Sequence, residues 1–384
     1  MRYVRIHYRL FVVAALALAG CRSVPLPDVA VEPPRDPVVP VVSAQILRWR
    51  DGSRAAASLT FDDSTLDHYL LAAPELDRRG LHGTFFVITG VMQHGVWDDF
   101  GTRRLQFSWN QARRLAARGH EIGSHSHTHP DVSALPFARA ELQLLKSLQR
   151  LQREIPRQHG ITFAWPYWRS TETTRALASR YYIASRAGQA TTPRYRAVGP
   201  VGARPEDMQR VNALGTRPVE TLDVWQEALH EILDDGGWAV LSLHGIDDGV
   251  IPREAIGWQP LSLETYRDLL DVLVSQDFWV APFGEVVKYL ERRDTTHLHV
   301  YADDDQRVII DVHSPLDPQI YNVPLSVRLT LPPTWHDVEI SADGQPLAWH
   351  ATSAAVVIEL PAEASKLSVI PSATPGASIA AHSR

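Results

Sequence analysis

Two short clusters in the sequence carry side chains that can bind a metal ion and transfer protons. Asp62 and Asp63 stand side by side where an apolar stretch ends, and His125, His127 and His129 occupy alternate positions after another apolar stretch. An adjacent aspartate pair more often makes a turn or caps a helix, but three imidazoles this close together are costly unless an ion coordinates some of them. Two histidines and one aspartate leave coordination positions open for water and substrate, which is typical of a catalytic metal site.

Two further segments place aromatic or polar side chains at the ends of apolar stretches. Phe163–Trp168 is rich in aromatic rings, which can stack on sugars or close the rim of a core, and both interpretations are open for Trp165 and Trp168. His244 directly follows the apolar run Val240–Leu243. A single histidine in such a position indicates little by itself.

These clusters follow predicted strands that alternate with amphipathic helices, a pattern typical of a parallel α/β architecture. The predicted strands are Ala56–Phe61, Thr84–Ile88, Glu121–Ser124, Thr162–Trp165, Tyr181–Arg186, Trp238–Leu243 and Phe278–Ala281. Because the carboxyl ends of the strands form one face of a β/α barrel, we expect the clusters to meet on that face.

The chain changes character after Asp294, where apolar residues alternate with a period of two. We predict several short strands there, with a hairpin turn at Asp343-Gly344, and therefore a small β-sandwich appended to the barrel. This domain could bind carbohydrate through Trp335 or Trp349, or it could simply cover a face of the barrel.

The N-terminal segment has the features of a targeting sequence. Arginines precede the apolar run Leu10–Ala17, which is too short to span a membrane and is typical of a secretory signal peptide. Leu18-Ala19-Gly20-Cys21 resembles the lipobox of bacterial lipoproteins, which implies lipid attachment to Cys21; the alternative is a plain signal peptide with an incidental cysteine. Arg22 follows Cys21, and by the same resemblance this residue favours anchoring in the outer membrane if the cell is Gram-negative. The proline-rich stretch that follows predicts an extended linker.

The composition excludes several classes of protein. Hydrophobic residues make up 45% of the chain and charged residues 21%, which is ordinary for a globular protein and excludes a wholly disordered chain. The formal net charge of −6 argues against nucleic acid as a partner. The single cysteine cannot form an intrachain disulfide.

Together, the clusters resemble the motifs of the polysaccharide deacetylase family, the carbohydrate esterases with a NodB homology domain. Thr60–Asp63 is similar to the first motif, and His120–Pro130 is similar to the second, in which the metal-binding histidines are four residues apart. His127 falls on a variable position of that motif. The resemblance covers about residues 55–292 and implies a distorted (β/α)7 barrel.

The resemblance also implies a role for each candidate residue in metal-dependent hydrolysis. By position, Asp62 would be the general base and His244 the general acid. The metal ligands would be Asp63, His125 and His129. They would hold a divalent ion, with zinc as the leading candidate and cobalt, nickel or manganese as alternatives. The backbone N–H of Tyr167 would stabilise the oxyanion, and Pro166, which lacks an N–H, would fix the turn. Trp165 and Leu243 are further candidates for contact with the substrate.

Three departures from the family pattern concern the surroundings of these residues. Ala164 stands where the third motif has an arginine that steadies the base, and Arg169 or Arg186 could replace it. The fourth motif, an acidic pair followed by tryptophan, is not recognisable in the sequence. Ser242 stands where the fifth motif has a leucine, so the acetyl methyl group would instead contact Leu241 or Leu243.

The leading hypothesis is a lipid-anchored enzyme that removes acetyl groups from a polysaccharide outside the cytoplasm, most commonly N-acetyl groups of GlcNAc-type units. The alternatives are an esterase for O-acetyl groups of xylan type, a glycan-binding lipoprotein that has lost catalysis, and another metal-dependent amidase on a related barrel. The predicted organisation is a lipoprotein signal peptide at 1–20, a proline-rich linker at 21–45, the barrel at 46–293, the sandwich at 294–371 and a disordered tail at 372–384.

Overall fold

The computed structural model describes residues 42–99, 101–189, 205, 207–215, 222–304, 306–335, 337–352 and 355–372. The predicted signal peptide, the lipid attachment at Cys21 and almost all of the predicted tail lie outside these residues and stay predictions. Within the described ranges, no helix has both the length and the apolar character needed to cross a membrane.

The strands and helices are numbered in chain order. The strands are Ser43–Ile46 (β1), Ala55–Phe61 (β2), Thr84–Val87 (β3), Val96–Asp99 (β4), Thr102–Leu105 (β5), Glu121–Ser124 (β6), Phe163–Ala164 (β7), Ser185–Gln189 (β8), Val211–Gly215 (β9), Trp238–Leu243 (β10), Gly245–Asp247 (β11), Pro260–Ser262 (β12), Phe278–Val280 (β13), His297–Asp304 (β14), Arg307–His313 (β15), Leu325–Thr330 (β16), Val338–Ala342 (β17), Gln345–Pro346 (β18), Trp349–Ala351 (β19), Ala355–Leu360 (β20) and Lys366–Pro371 (β21). The α-helices are Ala73–Arg78 (α1), Trp109–Ala117 (α2), Phe137–Glu154 (α3), Glu172–Ala178 (α4), Leu222–Asp235 (α5), Leu263–Ser275 (α6) and Phe283–Thr295 (α7).

Seven parallel strands close into the expected (β/α)7 barrel. Their order is β2, β3, β6, β7, β8, β9 and β10, and β10 pairs with β2 along its whole length to close the ring. The helices that connect these strands pack on the outside, as right-handed parallel connections require. The fold class predicted from the sequence is therefore confirmed.

One member of the ring differs from the predicted set of strands. The strand β9 is absent from the predicted set, because asparagine, alanine and glycine hide the strand pattern in this short run. The predicted strand near residue 278, observed as β13, pairs instead with Ala55–Ala57 at the beginning of β2. The strand predicted at Tyr181–Arg186 begins later, at Ser185.

Alternation along β2 directs the first motif into the barrel mouth. Ala57 and Leu59 face outward into the core formed with the helices, whereas Ala56 belongs to the core inside the barrel. Thr60 also faces inward, where its hydroxyl donates to the carbonyl of Leu241 over 2.8 Å. Asp62 continues the inward series beyond the end of β2, because alternate residues of a strand share a face.

The C-terminal part of the chain forms two antiparallel sheets with a shared apolar core, in agreement with the predicted sandwich. One sheet has the order β1-β16-β20-β19 and the other β14-β15-β21-β17-β18. The predicted hairpin turn lies between β17 and β18, where Asp343 and Gly344 both have positive φ. Tyr289 of α7 is buried in the same core, so the sandwich packs against the last helix of the barrel region.

The linker predicted at residues 21–45 ends earlier than expected. Ser43–Ile46 is a strand of the sandwich and pairs with Val327–Thr330 of β16. The short alternation of these residues is hidden by the proline-rich sequence before them, and only the pairing partner far along the chain identifies them as a strand.

A buried carboxylate joins α1 to α6. The side chain of Glu75 is 5% exposed and accepts hydrogen bonds from Arg267 over 2.7 Å, from Arg79 over 3.0 Å and also from Arg78. Burial by itself would raise the pKa of Glu75, but these guanidinium groups lower it from 4.5 to about 2. The depressed pKa stabilises the folded state fully above pH 4.5, and this stabilisation is lost as the pH falls toward 2.

We therefore expect Glu75→Gln to lower the free energy of unfolding at pH 7 by roughly 2–3 kcal/mol, since one pKa unit corresponds to about 1.4 kcal/mol. Urea unfolding at pH 7 and pH 3 checks this, and the difference between variant and wild type should shrink at pH 3. Glu264→Gln, at an exposed position in the first turn of α6, is the control and should have little effect. An equal loss at both pH values for Glu75→Gln would contradict the explanation.

Candidate metal centre

The chain turns sharply after β2, and this turn brings both aspartates of the first motif to the barrel mouth. Asp63 has φ of 74° and Ser64 has φ of 55°, which are unusual values for residues other than glycine. The backbone N–H of Asp62 donates to the carbonyl of Leu243 over 3.0 Å, which joins this turn to β10. Asp62 is 1% exposed and Asp63 is 6% exposed, so both carboxyl groups are buried.

The loop after β6 is held so that His125 and His129 face Asp63. The backbone N–H of His125 donates to the carbonyl of Val87, and that of His129 donates to Ser126 Oγ over 2.9 Å. His125 Nδ1 donates to the carbonyl of Ala164 over 2.8 Å, which leaves Nε2 as the nitrogen directed at Asp63. Burial lowers the pKa of His125 and lowers that of His129 to about 4, so both rings are neutral, the form that binds metal ions.

The three side chains have the geometry of a tetrahedral metal site. Asp63 Oδ1 lies 3.5 Å from His125 Nε2 and 3.4 Å from His129 Nε2, and the two nitrogens are 3.2 Å apart. Zinc ligands about 2.0–2.1 Å from the ion lie about 3.3–3.4 Å from one another in a tetrahedron. Among the described residues, no group donates a hydrogen bond to Asp63 Oδ1, so a cation would satisfy this buried oxygen. These residues therefore fit a divalent ion.

The third histidine of the cluster takes no part in this geometry. His127 Nδ1 shares a hydrogen bond with Thr89 Oγ1 over 3.1 Å. His127 lies between the two metal-facing histidines in the sequence, but its side chain points to a different neighbour, as the motif comparison predicts.

Arg186 occupies the place that the missing arginine of the third motif leaves free. Ala164 of β7 and Arg186 of β8 are direct partners in the sheet, so the guanidinium comes from the neighbouring strand at the same level. Arg186 donates to Asp62 Oδ2 over 2.5 Å and to Ser242 Oγ over 2.7 Å, and it is fully buried. Arg169, the other candidate, pairs with Asp131 and its side chain is 67% exposed.

The base and the acid candidates lie next to each other. His244 Nε2 is 3.7 Å from Asp62 Oδ2. Burial would raise the pKa of Asp62, but the positive charge of Arg186 lowers it below its ordinary value, so this carboxyl is ionised at neutral pH. The carbonyl of His244 accepts a hydrogen bond of 2.6 Å from His68 Nε2, which fixes the backbone at that position. His68 was not identified from the sequence because its partner lies far along the chain.

The aromatic segment after β7 divides into buried and accessible rings. Tyr167 is 41% exposed, and its ring lies 4.8 Å from that of His129, centroid to centroid. Tyr167 and Trp168 have positive φ in the turn Pro166–Trp168, and Pro166 itself is buried at its start. Trp165 is fully buried and donates to the carbonyl of Gln209, so its ring cannot stack on a sugar; of the two interpretations left open by the sequence, it closes the core, and it is not a substrate contact.

The leucines of the fifth motif also differ from expectation. Leu241 and Leu243 are fully buried in the outer core of the barrel, and Ser242 alone of the three points inward, toward Arg186. The alternation of β10 explains this arrangement, since neighbouring residues face opposite sides of a strand. The side chain of Leu243 therefore does not line the site, and its carbonyl accepts the hydrogen bond from the N–H of Asp62.

We expect Arg186→Ala to lower the free energy of unfolding by about 3–5 kcal/mol, because it leaves the buried carboxylate of Asp62 without its partner. Arg169→Ala removes only an exposed ion pair and should change stability by less than about 1 kcal/mol. Urea unfolding of both variants checks this. Adding Asp62→Asn to Arg186→Ala should recover part of the loss, and no recovery would mean that the pair is not its origin.

Comparisons with known proteins agree with this site. A family model for polysaccharide deacetylases matches residues 50–185. A gellan lyase of a Bacillus species is 27% identical over 327 residues, which cover 80% of this chain but 12% of the lyase. The uncharacterized protein YlxY of Bacillus subtilis (strain 168) is 32% identical over 82 residues, covering 21% of this chain and 22% of that protein. This chain thus spans only a small part of the length of both relatives.

Solved structures of deacetylases are similar as well. The peptidoglycan deacetylase PdaC from Bacillus subtilis has 17% sequence identity and a TM-score of 0.37, over 61% of this chain and 91% of that one. The segment matched by the family model contains Asp62, Asp63, His125 and His129. Residues 50–185 are therefore similar to the polysaccharide deacetylase family.

Proposed function

We propose that this protein is a metal-dependent hydrolase that removes acetyl groups from a polysaccharide. The proposed substrate groups are the N-acetyl groups of GlcNAc-type units. The observation that carries the proposal is the convergence of Asp63, His125 and His129 at tetrahedral spacing, with Asp62 and His244 beside them. Three buried ligands and a neighbouring buried base are more than a structural site requires.

In this proposal the side chains divide the work of hydrolysis. A bound divalent ion, zinc or else cobalt, nickel or manganese, would polarise the acyl carbonyl and lower the pKa of water at the site. Asp62 takes the proton from the attacking water, whose oxygen bonds to the acyl carbon. His244, whose Nε2 lies 3.7 Å from Asp62 Oδ2, receives this proton and delivers it to the departing nitrogen as the carbon–nitrogen bond breaks, so the products are acetate and a free amine.

Two other groups support these steps without transferring protons. Arg186 holds Asp62 in its ionised form and fixes one of its oxygens, so the other, Oδ1, is left for the water. The backbone N–H of Tyr167 is our candidate donor to the oxyanion, because the turn Pro166–Trp168 lies at the same rim as His129.

A glycan-binding protein without catalysis is the main alternative, and it rests on two departures from the family pattern, the missing arginine and the missing acidic fourth motif. The position of Arg186 beside Asp62 weakens the first of these grounds. The lipid anchor at Cys21 remains part of the proposal and would hold the domain at a membrane surface, where glycans are available.

The test is acetate release from chito-oligosaccharides and from acetylated xylan, by full-length protein before chelation, after chelation and after addition of Zn²⁺. We expect acetate from the chito-oligosaccharides, loss of this activity after chelation and its return with the ion. Acetate from xylan alone would favour the O-acetyl esterase. No acetate from either substrate, with any of the four metal ions, would contradict the proposed function.

A further inference from the structure

Two tryptophans that no motif includes lie beside the site. The ring of Trp97 is 5.0 Å from that of His129, and the ring of Trp258 is 5.4 Å from that of His244, centroid to centroid. Trp97 lies on the β4–β5 hairpin and Trp258 lies in the segment between β11 and β12, so both are outside the strands of the barrel. Trp258 is 48% exposed and Trp97 is partly exposed.

The two rings flank the aspartates from opposite sides. In the barrel, β10 lies next to β2 on one side, while β3 and then β6 follow on the other. His244 follows β10 and His129 follows β6, so the two histidines lie on either side of the turn that carries Asp62 and Asp63. Each tryptophan packs against one of these histidines.

Trp258 stands on a firmly held backbone. At the preceding residue, Gly257, a Cβ atom would come within 1.9 Å of the carbonyl of His244, so only glycine allows this close approach. The strand β11, where this segment begins, is also held in place, because the N–H of Ile246 donates to the buried Asp67 over 2.6 Å. A large apolar ring that is half exposed on a fixed backbone is available for binding at little entropic cost.

The hairpin that carries Trp97 is joined to the same segment. Arg104 of β5 is 7% exposed and donates to the carbonyl of Ile256 over 2.6 Å. Gln106, just after β5, accepts a hydrogen bond from Ser64 Oγ over 2.6 Å. The two segments are therefore tied to each other and to the turn after β2, which fixes the spacing of the two indoles.

We propose that Trp97 and Trp258 are sugar-stacking platforms on either side of the metal centre, and that the substrate is a glycan chain which continues on both sides of the acetylated unit. This inference rests on the proposed function. A sugar with its acetyl group at Asp62 and Asp63 would have its neighbours in the chain within reach of the two indoles. The apolar face of a pyranose packs well on an aromatic ring, as expected for a site lined by aromatic side chains and a few polar groups.

The test compares Trp97→Ala and Trp258→Ala with wild type on chito-oligosaccharides of two to six units, with the Zn²⁺-loaded full-length protein. We expect kcat/KM of the wild type to rise with chain length. Each variant should lose about three- to tenfold on the hexamer and little on the dimer. Trp258→Phe should recover part of the loss, and Phe137→Ala, which removes an exposed ring on α3, should have no effect.

Direct binding of chitohexaose, measured by calorimetry, separates this inference from the proposed function. If no acetate is released but both tryptophan variants lose chitohexaose binding, the proposed activity fails and the sugar-stacking role of the two tryptophans is supported. If acetate is released while both variants bind and turn over the hexamer like wild type, the sugar-stacking role is wrong and the proposed activity stands. Failure of the wild type to bind chitohexaose would also overturn the inference.

Discussion

The His125→Ala variant should bind no zinc and should release acetate at least about 10³-fold more slowly than wild type. Asp63, His125 and His129 each supply one atom at tetrahedral spacing, and loss of one ligand leaves two, too few to hold the ion in place. An ion at such a site contributes several kcal/mol to transition-state stabilisation, and each 1.4 kcal/mol corresponds to about tenfold in rate.

His127→Ala is a closely matched control for this experiment. It removes an imidazole from the same loop, but one whose contact is to Thr89 and not to Asp63. We expect it to keep both zinc and activity.

Thermal unfolding gives a second readout that does not depend on turnover. An ion that binds only the folded state at 100 times its Kd stabilises that state by about 2.7 kcal/mol. Added Zn²⁺ should therefore raise the Tm of wild type and of His127→Ala, and leave that of His125→Ala unchanged. Equal zinc content in the two histidine variants would contradict the assignment of ligands.

Asp62→Asn should lower kcat by about 10²–10⁴-fold and leave zinc binding intact. The substitution keeps the shape of the side chain but removes its ability to accept a proton, and general base catalysis typically contributes a factor of this size. The metal-facing atoms belong to Asp63, His125 and His129, so the zinc content and the rise of Tm with zinc should match wild type.

The control for this variant is Asp98→Asn, at an exposed position on the β4–β5 hairpin. It should leave kcat within about twofold of wild type, because surface substitutions of this kind have small effects. If Asp62→Asn keeps more than a tenth of the wild-type kcat while Asp98→Asn is normal, Asp62 is not the base.

The convergence of the candidate metal ligands could be predicted because they are local in the sequence. Asp62 and Asp63 are adjacent, and His125 and His129 are four residues apart in one loop, so short motifs were enough to identify them. The barrel could also be predicted, since buried strands that alternate with amphipathic helices are a periodic signal. The strand β9 escaped because it is short and carries little of that signal.

The tertiary structure alone decided what surrounds the metal site. Arg186 replaces the arginine missing at Ala164 because the register of β7 and β8 makes the two residues neighbours, and register between parallel strands cannot be inferred from chain positions. Burial of Trp165 and exposure of Trp258 were likewise undecided, since an aromatic ring serves equally well in a core or in a cleft. The sequence by itself thus determined the chemistry of the ligands and the type of barrel. Long-range packing determined which side chain pairs with Asp62 and which aromatic rings stay exposed beside the cluster.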